Sequence, residues 1–196
     1  CKQVQFYNGG NAGVQEGQAT TTGYMLFKRF NRSISKTSPG VASQNRPSII
    51  FRLADFYLIY AEVANEVNPS DSRVLTYLNL VRERAGLPKV EILNPGIVGN
   101  KELQRAAIQR ERQIELATEG QRYFDVRRWM IADKDGEGRQ NGYAHGMNVR
   151  GTINDTEEFN RVVETEKIVF NRKMYLQPIP DHEMRKTQNL VQNPGW

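Results

Sequence analysis

The chain has one cysteine, Cys1, so no disulfide can close within it. It has two histidines, His145 and His182, far apart and without cysteine companions, which leaves no metal-ligating pattern. His145 has no Ser or Cys nucleophile pattern beside it either. No apolar stretch approaches the roughly 20 residues of a membrane-spanning helix, and no signal-peptide pattern is present. The protein is therefore either cytoplasmic or has a targeting segment that is removed or lies outside these residues, and composition leaves both open. Basic residues form no run of the kind that makes a phosphate footprint. Lys and Arg total 27 against 22 Asp and Glu, for a net charge of +5 and a pI near 9.4. Such a mixed surface is mainly a solubility property, and no nucleic-acid partner is expected. What is present is ordinary: 196 residues, 38 % apolar and 25 % charged, enough for one compact domain with a core.

Residues 1–45 are rich in Gly, Asn, Ser and Thr, with turn chemistry at Gly9–Gly13 and Ser38–Gly40. Only Gly23–Phe30 is apolar enough to pack. This stretch is expected to be a loop-rich segment of a larger parent domain. Residues 46–196 are expected to form a helical domain. Ile49–Val67 is the strongest helical segment: Arg52, Asp55, Glu62 and Glu66 share one stripe and nearly everything else is apolar. A helix of that kind is predicted to be buried on most sides. Asn68-Pro69 ends it. A second helix is predicted over Asp71–Ala85, with Val74, Tyr77, Leu78, Val81 and Ala85 on one face. Gly86 supplies its C-cap and Pro88 stops it, so the two helices make an antiparallel hairpin.

A third helix is predicted over Lys101–Glu119, with Leu103, Ala107, Ile114 and Ala117 as its inner face, and a fourth over Arg122–Asp133. Asp133–Gly151 reads as a Gly-rich loop. Residues 152–174 have room for a helix and a strand. The tail Tyr175–Trp196 carries prolines at 178, 180 and 194, so it is expected to be extended, with one helical turn near Asp181–Lys186. Successive helical hairpins suggest a tetratricopeptide-like scaffold. The first helices of the two pairs start about fifty residues apart, against ~34 for that repeat, so the periodicity supports an all-α fold with long irregular loops and nothing sharper.

Four stretches carry a family resemblance: Arg52–Glu62 (RLADFYLIYAE), Leu78–Gly86 (LNLVRERAG), Glu111–Trp129 (ERQIELATEGQRYFDVRRW), and Tyr175–Pro180 (YLQPIP) followed by Asn189–Trp196 (NLVQNPGW). Together and in this order, over residues 24–196, they resemble the C-terminal portion of the SusD/RagB family of outer-membrane nutrient-binding lipoproteins. Mature members begin with a lipidated cysteine. The residues after Cys1 look instead like the middle of the family sequence, so Cys1 is read as a chance residue at a fragment boundary. The resemblance implies a protein on the outer face of a Gram-negative outer membrane, anchored by a lipid on the parent protein. It implies capping of a SusC-type TonB-dependent transporter, binding of an oligosaccharide or similar nutrient, no bond cleavage and no cofactor.

Arg112, Glu115, Glu119, Arg122, Asp125 and Arg128 follow one another at spacings of three or four, and Glu111 stands four residues before Glu115. With Trp129 they are read as an ion-pair network around an aromatic step that includes Tyr123 and Phe124. The rival reading makes Glu111 and Glu115 a hydrolase pair. A glycosidase needs its two carboxyls across a cleft, one of them a proton donor, whereas stems at i, i+4 with arginines in reach keep both ionised. Asp133, Asp135 and Glu137, with Gly138, resemble the first half of a calcium loop. Position 12 is Ala144, where a bidentate Glu is required, so a solvated loop is the better reading and no metal is expected. Sugar binding uses aromatic faces and polar side chains, commonly on loops. Asn141, Tyr143 and His145 have that composition, as do Phe6 and Tyr7, and these are the candidate ligand contacts. Trp196, after Asn193-Pro194-Gly195, is expected to anchor the tail. The leading function is glycan or nutrient capture for a transporter. The alternative is a helical protein-interaction module that docks the transporter without a ligand site of its own.

Overall fold

The computed structural model describes residues 48–134, 142–147 and 162–196, together with Tyr24, Leu26 and Lys28. The chain divides into two units, Asn45–Trp129 and a second that comprises Cys1–Gln44 and Met130–Trp196.

The first unit is a helical array. Helix α1 spans Leu53–Val67 and ends where Asn68 turns extended ahead of Pro69. Helix α2 spans Arg73–Arg84. The Asp71 carboxylate accepts from the Arg73 amide at its start (2.9 Å), which satisfies one of the helix's orphan donors. Gly86, at φ +76, takes the left-handed conformation just past its end. One short turn, α3 (Val90–Leu93), and a 3-10 turn (Pro95–Ile97) lead to α4, Lys101–Glu115. The Asn100 side chain caps α4 by accepting from the Leu103 amide (3.2 Å). Helix α5 spans Gln121–Arg128.

Helix α4 stops four residues short of the predicted Glu119, because Thr118 takes φ +67 and Gly120 φ +83, which no α-helix contains. Helix α5 likewise ends before Asp133, with Met130 at φ +53. The core is built from Ala54, Leu58 and Ala61 of α1, Val74, Leu78 and Val81 of α2, and Ile108 of α4. Buried amides tie the connections to it. Gln104 Nε2 donates to the carbonyls of Ile97 (3.0 Å) and Pro69 (3.2 Å). Asn79 donates to Glu91 (2.8 Å) and accepts from the Val90 amide (3.0 Å).

Two sequence expectations change here. Helix α4 does not turn Leu103, Ile114 and Ala117 inward; they are exposed, and Gln104, Ile108, Glu111 and Arg112 are its buried residues. Apolar count pointed to one face, but hydrogen bonds and ion pairs allow a polar face to be the buried one. Helix α1 is not buried on most sides. Its inward face is Ala54, Asp55, Leu58, Ala61 and Asn65, while Phe56, Ile59, Tyr60 and Val63 are exposed.

Glu66 of α1 accepts from Arg105 of α4 at 2.7 and 2.8 Å, and Lys101 lies 3.1 Å away. The hydrogen bond from Arg105, with help from Lys101, lowers its carboxyl from 4.5 to about 2. A carboxyl lowered in the folded state contributes stability that is complete above its unfolded value, near pH 4.5, and fades as pH falls toward 2. Glu66 is exposed, so the contribution is that of a surface pair. Glu66→Gln is expected to flatten this part of the stability–pH curve in urea unfolding at stepped pH, leaving stability near neutrality little changed.

The second unit holds an antiparallel strand pair, β1 (Gly142–Met147) with β2 (Val162–Ile168). Strand β1 falls where a continuous Gly-rich loop was predicted. Tyr143 faces Lys167 and His145 faces Glu164, so β2 carries one extra residue at a bulge between them. Glycine in β1 at 142 and 146 hid the strand from a reading based on β-propensity. Buried Phe170 meets the Tyr175 ring edge-on at 5.0 Å. The tail is extended apart from a 3-10 turn (Arg172–Tyr175) and the short helix α6, Asp181–Met184. Gln192 exchanges hydrogen bonds with the backbone of Ile179 (2.8 and 2.9 Å), and Asn193 donates to the Gln177 carbonyl (2.6 Å). These bonds fold the tail back on itself in place of a regular ladder.

Candidate functional site

The most chemically dense part of the described chain is where α1, α2, α4 and α5 meet. An arginine, Arg112, lies at its centre, 3 % exposed. Its Nη1 donates to Asp55 of α1 (2.8 Å), and its Nε and Nη2 donate to the two oxygens of Asp125 of α5 (2.9 and 3.1 Å). Asp55 and Asp125 are themselves buried, at 7 % and 3 % exposure. The fork-to-fork geometry with Asp125 is the strong, directional form of an Arg–carboxylate pair. From Asp125 the chain of contacts runs to Arg128, whose Nε donates to Oδ1 (2.9 Å). Arg128 Nη2 then donates to Glu62 of α1 (2.7 Å), and the Trp129 indole donates to the same carboxylate (2.7 Å). The Arg128 guanidinium also stands 4.6 Å from the Trp129 ring.

A second branch closes the other end. Arg52, just before α1, donates to Glu119 (2.9 Å), to the Glu115 carboxylate (2.6 Å) and to the Glu115 carbonyl (2.6 Å). The hydrogen bond to Glu119 is the largest cause raising the Arg52 pKa above its ordinary value. Arg84 of α2 reaches Glu115 (2.7 Å), and Arg82 pairs with Glu111 (2.9 Å). Arg122 lies on α5 with its guanidinium 5.9 Å from the Trp129 ring. Four helices are thus joined through side chains whose charges are matched one against another.

Glu111 and Glu115 are both taken up by guanidiniums and enclosed, with side chains 5 % and 11 % exposed. They do not face each other across an open cleft. Buried ion pairs add little net stability over well-packed apolar residues, because desolvation offsets the attraction, but removal of one partner is costly. The arrangement can fix helices in register.

The other predicted residues lie elsewhere. Phe6, Tyr7, Asn141, Asp135 and Glu137 fall outside the described residues. Tyr143 and His145 are both on β1, and His145 is exposed. The Asp133 carboxylate accepts from the Tyr175 hydroxyl (2.6 Å), and this bond is the main cause lowering its carboxyl below the usual value. Among the described residues no group of three or more His, Cys, Asp or Glu is placed to hold a metal ion. The Trp196 indole donates to the carbonyls of Lys173 (3.1 Å) and Leu176 (3.0 Å), with the Lys173 ammonium 4.2 Å from the ring. Gly195 stands at φ +87 with Lys173 3.0 Å from where a Cβ would be, so the turn before Trp196 requires glycine.

Sequence reasoning missed the partners Asp55, Glu62, Arg52, Arg82 and Arg84. The signal was present in the first three: charges on an otherwise apolar helix are rarely buried unless paired.

The sequence pattern of the SusD family matches residues 2–196. A SusD-like protein of Formosa agariphila is 44 % identical over 106 residues, which are 54 % of this chain and 19 % of that protein. A second SusD-like protein of the same organism is 31 % identical over 153 residues, 76 % of this chain and 26 % of the relative. The crystal structure of a SusD-like protein from Bacteroides fragilis matches with a TM-score of 0.61 at 31 % identity, covering 76 % of this chain and 26 % of that one. Its helical, tetratricopeptide-like class is the one expected from the sequence. The chain spans about a fifth to a quarter of the length of these curated relatives.

Proposed function

This chain belongs to the SusD family, and on that premise we propose that it is part of a cell-surface protein that captures a glycan, or another nutrient of similar chemistry, and delivers it to a SusC-type TonB-dependent transporter. The observation that carries the reading is the family match along residues 2–196. Members of this family are binding proteins, in general of glycans, at the outer-membrane surface. No helix among the described residues is long and apolar enough to cross a membrane, and attachment is assigned to a lipid anchor on the parent protein. Capture is non-covalent, without bond cleavage, and the engagement of Glu111 and Glu115 by arginines supports this reading over a hydrolase pair. Ligand contacts are proposed at Asn141, Tyr143 and His145 and at Phe6 and Tyr7, where aromatic faces and polar groups lie close together in sequence.

A glycan array probed with the full-length parent beside this 196-residue chain tests the proposal. The parent is expected to bind one oligosaccharide class saturably. Binding by the chain itself, lost in Tyr143→Ala, assigns the contacts to the stretch around β1. Binding by the parent alone places them elsewhere in the protein. Failure of the parent to bind any glycan overturns the sugar reading.

A further inference from the structure

Among the described residues of the first unit three amide side chains are buried, Asn65, Asn79 and Gln104, at 0, 4 and 1 % exposure. Asn79 has both ends engaged, its nitrogen by Glu91 and its oxygen by the Val90 amide. The other two are engaged at one end only. Asn65 Nδ2 donates to the Lys101 carbonyl (3.0 Å). Gln104 Nε2 donates to the carbonyls of Ile97 (3.0 Å) and Pro69 (3.2 Å). Their oxygens, Asn65 Oδ1 and Gln104 Oε1, are buried and accept no hydrogen bond among the described residues. Exchanging the oxygen and nitrogen of either amide gives no relief, because each nitrogen meets backbone carbonyls, which can only accept. A buried acceptor without a donor is destabilising and is rare in folded proteins.

The two oxygens belong to one junction, where the end of α1 meets the start of α4. Asn65, in the last turn of α1, reaches the carbonyl of Lys101, which lies one turn before Gln104 on α4. Gln104 reaches back to the carbonyl of Pro69, about one turn's length of chain beyond Asn65. The two side chains therefore span the same pair of segments in opposite directions. The Lys101 ammonium adds a third link by donating to the Glu66 carbonyl (2.8 Å). Gly99, at φ +73, brings the turn before α4 close to Ser70, whose hydroxyl lies 3.7 Å from where a Cβ would stand.

We infer that this junction binds one internal water molecule, which donates one hydrogen to Asn65 Oδ1 and the other to Gln104 Oε1. Both oxygens are neutral acceptors, and water is the small neutral molecule with two hydrogens to give. Amide oxygens also attract cations, but the charges around this junction oppose one. The Lys101 ammonium is already there. Glu66 and Glu102, the carboxylates beside Asn65 and Lys101 in sequence, are engaged by Lys101 and Arg105. A cation would be buried beside a like charge, with no free carboxylate to hold it as divalent metals require. The water acts as a pin between α1 and α4, and it makes each of the two amides depend on the other.

The test is made in the full-length parent, crystallised and refined at a resolution that shows ordered water. One density peak is expected within hydrogen-bond distance, about 2.6–3.2 Å, of both oxygens. A peak ringed by six or more oxygens at about 2.3–2.6 Å is a metal ion and overturns the inference. So does a junction without a peak, or one in which each oxygen has its own separate water. Thermal unfolding supplies a second readout that needs no crystal. Asn65→Leu and Gln104→Met are each expected to lower the parent's Tm by several degrees, since each leaves buried carbonyls without their donor. The double variant is expected to lose clearly less than the sum of the two, because the shared water leaves only once. Losses that add in full overturn the sharing of one water. Neither readout involves glycan, so this inference and the proposed function fail separately.

Discussion

Arg112→Ala is expected to lower the stability of the full-length protein by about 3–5 kcal/mol, the cost of leaving buried carboxylates without their counter-charge. The substitution removes three hydrogen bonds at once. Asp55 loses its Arg112 partner, and Asp125 keeps only Arg128. At 7 % and 3 % exposure neither carboxylate can recover that loss by hydration. Arg112→Lys is expected to recover part of it, because an ammonium supplies charge but cannot form the two-pronged bond to Asp125. Replacing Asp55, Arg112 and Asp125 together by apolar residues of similar volume is expected to cost less than Arg112→Ala alone, since the desolvation penalty disappears along with the pairs. Urea unfolding of the three proteins, with midpoint and slope fitted separately, checks the order. An Arg112→Ala protein as stable as the parent would show that the network is incidental to the fold.

Leu58→Ala is expected to cost about 2–5 kcal/mol by a different route. Leu58 is wholly buried on the inward face of α1 and belongs to the cluster with Val74, Leu78, Val81 and Ile108. Truncation removes the transfer free energy of the lost methyl groups and leaves a cavity that helices fixed by ion pairs close poorly. The contrasting control is on the same helix: in this 196-residue chain Val63→Ala, on the exposed face, is expected to change stability by no more than about 0.5 kcal/mol. Thermal unfolding of both variants measures the difference. Equal costs would mean that the inward and outward faces of α1 had been assigned the wrong way round.

Much of this architecture was legible in the residues. Pro69 and Gly86 act locally, through backbone sterics, so the helix ends near them could be read without knowing the neighbours. The 3.6-residue periodicity found α1 and α2 for the same reason. Which face turns inward is a different kind of question. On α4 the apolar residues Leu103 and Ile114 face outward and Gln104, Glu111 and Arg112 inward, because their partners come from residues up to 57 positions away. No local pattern contains that information. Helix α1 misled in the opposite direction: its apolar circumference reported a capacity for burial on two faces, and the described residues use one. Strand β1 escaped notice because glycines weaken the propensity signal and pairing with β2 is non-local. The dense run from Glu111 to Trp129 was recognisable as a network, yet the arginines and carboxylates that complete it on α1 and α2 appear only in three dimensions.

Calorimetric titration of the array-selected oligosaccharide into the full-length protein tests the central claim most directly, that this is a capture protein and not a hydrolase. The account predicts heats that return to baseline after each injection and saturate at a fixed stoichiometry. Heat that continues after each injection, and that Glu115→Gln abolishes, would contradict it.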